Sequence, residues 1–110
     1  MGRSDYLGDF EQLVLLATLR LGHDAYGTTI QKEIEDRAGR CASVGALYTV
    51  LGRLEEKGLV SSRLADPTPE RGGRAKRYFK LERAGRAALK RTRIAMTRMW
   101  EGLEPGFDRS

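Results

Sequence analysis

The chain has 110 residues, one cysteine and a formal net charge of +5, which suits a single domain of modest core, or one domain with an oligomerisation element. A single thiol excludes an intramolecular disulfide and fits a cytoplasmic setting. No apolar run approaches the roughly 20 residues needed to cross a bilayer, and the opening MGRSDYLGDFEQ carries acids where a secretory signal would carry its apolar core.

The charge is unevenly placed. Met1 to Asp36 holds three basic and seven acidic residues, Arg37 to Lys80 ten and four, and Leu81 to Ser110 seven and four, giving −4, +6 and +3. A localised basic region points to a polyanion more than diffuse basicity does, although a solvated charged surface is the plainer alternative.

Residues 1–8 read as a loose arm. Asp9 is expected to cap a helix that runs to about Leu21 and stops at Gly22. Phe10, Leu13, Val14, Ala17 and Leu21 mark one face of it, and Leu15, Leu16 and Leu19 widen that face until the helix is apolar nearly all round. A surface helix is not this apolar, so it is expected to be covered twice, by its own domain and by a second subunit. The run HDAYGTT then makes a turn and a new start. Thr28 or Thr29 caps a helix from about Ile30 to Ala38, or the helix begins as early as Tyr26; Ile30 and Ile34 face the core and Gly39 ends it.

The next stretch, SVGALYTVLGRLEEK, organises the rest. Ser43 is a strong N-cap, Gly58 stands where a left-handed residue would close the helix, and Leu47, Val50, Leu51 and Leu54 make one apolar stripe. The opposite face carries Gly45, Ala46, Thr49, Gly52 and Arg53 and is almost bare of bulk. A slim, neutral-to-cationic helix of this kind fits the DNA major groove. Two helices joined by a tight turn, the second of this character, make a helix-turn-helix pattern.

After Gly58 the period changes. Leu59 to Ala65 and Arg74 to Leu81 read as two strands of a hairpin, with Asp66 to Gly73 as its loop. Arg71, Arg74, Lys76 and Arg77 lie in or beside that tip, where they could meet a phosphate backbone. From Glu82 to about Leu103 a long helix is expected, with Gly85, Leu89, Thr92, Met96, Met99 and Leu103 in a heptad seam flanked by Trp100. Such a seam reads as a dimerisation helix, with packing on its own domain as the alternative. The tail EPGFDRS reads as disordered. The fold class is therefore mainly α with a small β-hairpin: a winged helix-turn-helix over residues 1–81, followed by a dimerisation helix and tail over 82–110.

Site roles follow from placement. Ser43, Gly45, Ala46, Thr49 and Arg53 present to the groove; Thr49 suits a thymine methyl or a base edge and Ala46 an apolar contact. With no Gln, Asn or Lys at the centre of this face, DNA shape is expected to add to direct reading. Tyr48 sits at the edge of the stripe, with its ring inward and its hydroxyl toward a phosphate. Thr28, Gln31 and Lys32 are placed to hold the backbone, as are Arg74, Lys76 and Arg77. Leu13, Leu16, Leu89, Met96, Met99, Trp100 and Leu103 are candidates for a dimer interface, or for a pocket that takes a small hydrophobic effector. Cys41 lies near a helix N-terminus, which makes a redox switch conceivable and a passive small residue the simpler reading. His23 stands alone and is assigned no metal.

The blocks LVLLATLRLGHDAYGTTIQKEI, SVGALYTVLGRLEEKGLV and RGGRAKRYFKLERAGRAAL resemble the PadR-like transcriptional regulators. The likeness covers most of the chain, and the middle block is its most specific part, through Gly45, Leu47, Tyr48, Leu51, Leu54, Glu55, Gly58 and Leu59. Glu82 departs from the pattern, since such proteins usually carry a threonine cap there. The resemblance implies a homodimer on a pseudo-palindromic operator, usually a repressor and often responsive to a small ligand or stress. It also implies that aromatic residues of the last helix can form a ligand pocket between subunits. No nucleophile–base pair, no phosphate-cradling loop between a strand and a helix and no metal spacing is present, so neither an enzyme nor a cofactor is expected. A protein-interaction module and an RNA binder are the rival readings. The basic middle segment speaks against the first. The second lacks stacking platforms, since Tyr78 and Phe79 are adjacent and point to opposite sheet faces.

Overall fold

The computed structural model describes residues 6–65 and 76–103. Four α-helices and one antiparallel hairpin follow one another as α1 (Asp9–Leu21), α2 (Gly27–Ala38), α3 (Val44–Glu56), β1 (Val60–Leu64), β2 (Arg77–Leu81) and α4 (Arg83–Trp100), with a 3-10 turn at Gly22–Asp24 between the first two helices. The expected loop Asp66 to Gly73 and the tail from Glu104 lie outside the described residues.

Helices α1, α2 and α3 close around one core. Val14 and Leu15 come from α1, Ile30 and Ile34 from α2, Leu47, Leu51 and Leu54 from α3, and Val60 and Phe79 from the sheet. The apolar stripe of α3 is buried apart from Val50, which is half-buried. Complete burial of one such leucine contributes roughly 2 kcal/mol, so this stripe holds α3 at a fixed height on the domain. The ends of α3 are set by local chemistry. Ser43 Oγ accepts the Ala46 N–H at 3.0 Å. At the other end the Leu59 N–H reaches Leu54 O and the Gly58 N–H reaches Glu55 O, both at 2.9 Å, with Gly58 at φ +77°. This paired closure requires the left-handed backbone that glycine tolerates.

Four expectations change. Asp9 is the first residue of α1 and Gly8 holds the cap position, with its N–H donated to Glu11 Oε1 at 2.8 Å. Of the two expected starts of α2 the earlier one holds, with Tyr26 at the cap position and Gly27 the first helical residue; Thr28 is not its cap, and the Thr29 hydroxyl, inside the first turn, accepts the Tyr26 N–H at 3.0 Å. Leu7 belongs to no loose arm. It is buried, and its N–H donates to Thr92 Oγ1 at 3.0 Å, which ties the entry of the domain to α4. The seam of α4, finally, is divided. Gly85, Ala88 and Thr92 are buried against their own domain, whereas Met96, Met99 and Leu103 are exposed. The arginines of the first turns had hidden an inward face made of small residues.

The sheet pairs Val60 with Leu81 through Leu64 with Arg77, and Ala65 N–H donates to Lys76 O beyond the last pair. Tyr26 bridges to Tyr78, and the Phe79 N–H donates to Ala25 O at 2.8 Å, so the approach to α2 lines the free edge of β2. Glu82 makes no side-chain cap for α4. Its carboxylate instead accepts the Ser61 hydroxyl, and its N–H donates to Leu59 O. A single residue thus joins β1 to the start of α4.

Gly85 is where α4 touches the strand entry. A Cβ there would collide with the Leu59 carbonyl oxygen and stand 2.6 Å from Leu81 Cδ1. Gly85→Ala is expected to cost about 1–3 kcal/mol, as overpacking does. Gly52→Ala, where nothing stands within 4 Å, should be neutral or stabilising by up to about 1 kcal/mol. Paired thermal melts check both; equal melting temperatures for the two variants would refute the contact.

Candidate nucleic-acid interface

Helix α3 turns Gly45, Ala46, Thr49, Gly52 and Arg53 to solvent together, with Ser43 exposed at its start. No bulky apolar side chain interrupts that face. The Thr49 hydroxyl donates to Gly45 O at 3.0 Å, so its proton is committed to the helix and its oxygen remains an acceptor. Arg53 makes no ion pair with a described residue.

The turn before α3 is held from three sides. Gln31 Nε2 donates to Ala42 O at 2.7 Å. Arg40 Nη1 meets Asp9 Oδ2 at 3.2 Å, and its guanidinium lies 4.6 Å from the centre of the Phe10 ring. At the far end of α3, Lys57 Nζ meets Glu11 Oε2 at 3.4 Å. Both ends of α3 are therefore referenced to the first turn of α1. Each exposed pair is worth little alone; their value here is angular.

Tyr48 fixes the remaining freedom. It is 39% exposed and lies across Gly27, the first residue of α2. A Cβ on Gly27 would stand 2.7 Å from the Tyr48 hydroxyl oxygen and 2.9 Å from its ring. Tyr48 also meets Phe79 at a centroid distance of 6.0 Å, while Tyr26 meets Tyr78 edge-on at 5.2 Å. Four aromatic side chains thus connect α3, the start of α2 and β2. The expected inward ring is present, and the hydroxyl reaches the N-terminus of α2, a position suited to an anion.

The backbone-holding candidates divide. Thr28 and Lys32 are exposed, with Lys32 Nζ 3.2 Å from Asp36 Oδ2. Gln31 spends a donor on the turn. Lys76 Nζ rests 4.0 Å from the centre of the Tyr26 ring. Arg77 Nη1 donates to Ser62 Oγ at 3.0 Å, and Ser62 in turn donates to the Glu55 carboxylate of α3. The two described cations at the loop end of the hairpin, Lys76 and Arg77, therefore have intramolecular partners. Arg71 and Arg74 lie outside the described residues.

The dimer or effector candidates form a second region. Leu16 (43%) and Leu19 (38%) are exposed on α1, and Met96 (51%), Met99 (73%), Trp100 (41%) and Leu103 (52%) at the end of α4. Leu13 and Leu89 are half-buried against the core. Among the described residues no group of three His, Cys, Asp or Glu side chains could hold a metal ion, and no helix is long and apolar enough to cross a membrane.

Helix, helix, helix, hairpin and a further helix, with α3 the projecting member, define a winged helix-turn-helix protein. The sequence profile described as "Transcriptional regulator PadR-like family" matches residues 15–91. The chain belongs to the PadR-like family of transcriptional regulators. Similar solved structures include a PadR-like transcription factor from Bacteroides fragilis, 26% identical with a TM-score of 0.69 and 84% of each chain covered. A PadR family transcription regulator from Clostridium difficile R20291 is 22% identical at a TM-score of 0.68, over 93% of this chain and 97% of that one. Bacillus subtilis PadR in complex with operator DNA is 20% identical at 0.62, over 74% of this chain and 45% of that one. No curated protein matches the sequence.

Cys41 is exposed, and its Sγ donates to Glu35 Oε2 at 3.1 Å. That hydrogen bond, with the adjacent negative charge, pushes the thiol above its ordinary value. The proton is held more tightly, so the thiolate fraction at neutral pH falls below that of an unperturbed cysteine and recovers only as pH rises. Iodoacetamide should alkylate Cys41 more slowly than a free thiol at neutral pH, and Glu35→Gln should speed the reaction. Equal rates in the two proteins would remove Glu35 as the cause.

Proposed function

We propose that the chain is a sequence-specific double-stranded DNA-binding regulator that acts as a homodimer on a pseudo-palindromic operator, as a repressor. The observation that carries this reading is the outer face of α3. Its small side chains, and an Arg53 that has no ion-pair partner among the described residues, let the helix backbone approach a groove floor closely, while both helix ends are braced to α1. Ser43, Gly45, Ala46, Thr49 and Arg53 are the groove residues; Thr28, Lys32 and Tyr48 flank them at the phosphate level, and Arg71, Arg74, Lys76 and Arg77 serve the wing. The likeness in fold to Bacillus subtilis PadR, solved with operator DNA, supports it.

The dimer reading rests on the end of α4. Residues 96, 99, 100 and 103 are exposed together at the end of α4, and a second copy is the self-complementary cover for such a group. Residues 82–103 then serve two roles, docking by their first half and pairing by their second. A cytoplasmic place of action and the absence of catalysis accompany this function.

Two experiments test it. Arg53→Ala should weaken binding to a specific fragment and reduce the slope of log affinity against log salt by about 1 if the contact is to phosphate, or relax specificity at one base by about 1–3 kcal/mol if it is to a base edge. An unchanged affinity and slope would take α3 out of the groove. Met99→Glu should convert a dimer to a monomer in light scattering and weaken operator binding. A wild-type chain that is already monomeric at micromolar concentration would defeat the dimer.

A further inference from the structure

Helix α4 carries charge on a face that neither its own domain nor the groove reading uses. Between Glu82 and Glu101 it holds Arg83, Arg86, Lys90, Arg91, Arg93 and Arg98 and no acid. All six are exposed. None makes an ion pair with a described residue, whereas Arg20, Lys32, Arg37, Arg40 and Lys57 each meet a carboxylate. Arg83, Arg86, Lys90 and Arg93 follow one another at three and four residues, so like charges are neighbours along one stripe, an arrangement that destabilises a helix. Arg83 also opens the first turn, where the dipole disfavours a cation and no acid offsets it. An external polyanion reverses each of these terms.

The stripe has the length of a backbone contact. From Arg83 to Arg93 it runs about 15 Å at about 1.5 Å per residue, a distance over which duplex DNA presents about nine phosphates. Gly85, Ala88 and Thr92, on the opposite side, are buried. Met96 and Met99 continue that opposite side by their four- and three-residue spacing from Thr92, so a second copy that covers them leaves the stripe open. Ile94 is the one exposed apolar side chain larger than alanine beside the cations, too little for the apolar core that a protein partner calls for. No aromatic residue lies between Arg83 and Arg98, so the stacking platform that single strands require is missing too.

We propose that this stripe binds the phosphate backbone of a second DNA duplex, so that the protein holds two duplexes together, one through α3 and one along α4. The first of the two contacts rests on the groove reading above; the second does not. The main helical neighbour of α4 is α1 rather than α3, and the stripe faces away from that packing, so it is no part of the surface that α3 offers to its own duplex. The contact is to phosphate alone and carries no sequence preference.

The test uses the full chain and two random-sequence duplexes, one biotinylated and held on beads, the other fluorescent and free. At low salt the wild-type chain should carry the fluorescent duplex onto the beads, and a mobility shift should report binding to one duplex alone. Replacing the stripe by Arg83→Gln, Arg86→Gln, Lys90→Gln and Arg93→Gln together should abolish capture and keep the single-duplex shift. Glutamine has similar helix propensity and removes the like-charge neighbours, so thermal melts should show this variant no less stable than the wild type; Lys90→Gln with Arg93→Gln should weaken capture should the larger set not fold. Capture by the wild type should lose affinity with a log–log salt slope of about 0.9 for each phosphate neutralised. No capture by the wild type, or undiminished capture by the folded variant, overturns the site. Loss of the single-duplex shift along with capture overturns the second-duplex assignment. Tighter capture of a labelled single strand, or of polyglutamate, than of the duplex gives the stripe to that partner and overturns the DNA claim. An Arg53→Ala chain that shifts and captures as the wild type does defeats the groove reading and leaves the stripe standing.

Discussion

The approach of Tyr48 to Gly27 is the contact on which the geometry of this domain turns. In a helix-turn-helix the useful quantity is the angle at which the second helix leaves the first. Here that angle is set by a ring laid across a residue that has no side chain. A methyl group at Gly27 would stand inside the ring's contact distance, so the helices would have to separate or rotate. The buried stripe of Leu47, Leu51 and Leu54 holds α3 down, but a stripe alone permits sliding. The ring on Gly27, with Phe79 behind it, removes that freedom, and the ion pairs of Arg40 and Lys57 to α1 trim what remains.

The electrostatics follow the same division. All the acids of α1 and α2 but one are spent on neighbouring cations: Glu33 takes both Arg20 and Arg37, Asp36 takes Lys32, Asp9 takes Arg40 and Glu11 takes Lys57, while Glu35 accepts the Cys41 thiol. The unpaired cations of the described residues lie at Arg53 of α3, on the outer sheet face and along α4. The negative first third of the chain is therefore not a repulsive patch facing the basic remainder. It is the set of braces that lets a cationic surface be held in one shape.

Much of this could be read without coordinates, for reasons that are local. Ser43, Gly58 and the four apolar residues between them act within a turn or two of the backbone, so α3 is legible to the residue. The hairpin is legible from its change of period. What could not be read depends on elements distant in sequence. Leu7 finds Thr92 across 85 residues. Ala88 packs inward beside the seam residues Gly85 and Thr92, and it is too small to stand out among arginines. Glu82, which departs from the family's threonine, is explained by a partner on β1 rather than by its own helix. Gln31 and Arg77 looked free for phosphate because their acceptors, Ala42 O and Ser62, cannot be inferred from spacing.

The division of α4 constrains how such a protein could act as a pair. Its first half is locked to the domain by Gly85 against Leu59 and by Thr92 against Leu7, so it cannot swing as a free arm. Beyond that half, Met96, Met99 and Leu103 are exposed. An 18-residue helix is about 27 Å long, and a rigid rod of that length transmits orientation as well as attachment. If a second copy covers the distal strip, the separation and tilt of the two α3 helices are set by the same Gly85 contact that docks the rod. Spacing on a duplex would then depend on a residue far from any base. The glycine itself, rather than a better helix former, is required by the Leu59 carbonyl and Leu81, which leave no room for a Cβ in the first turn of this helix.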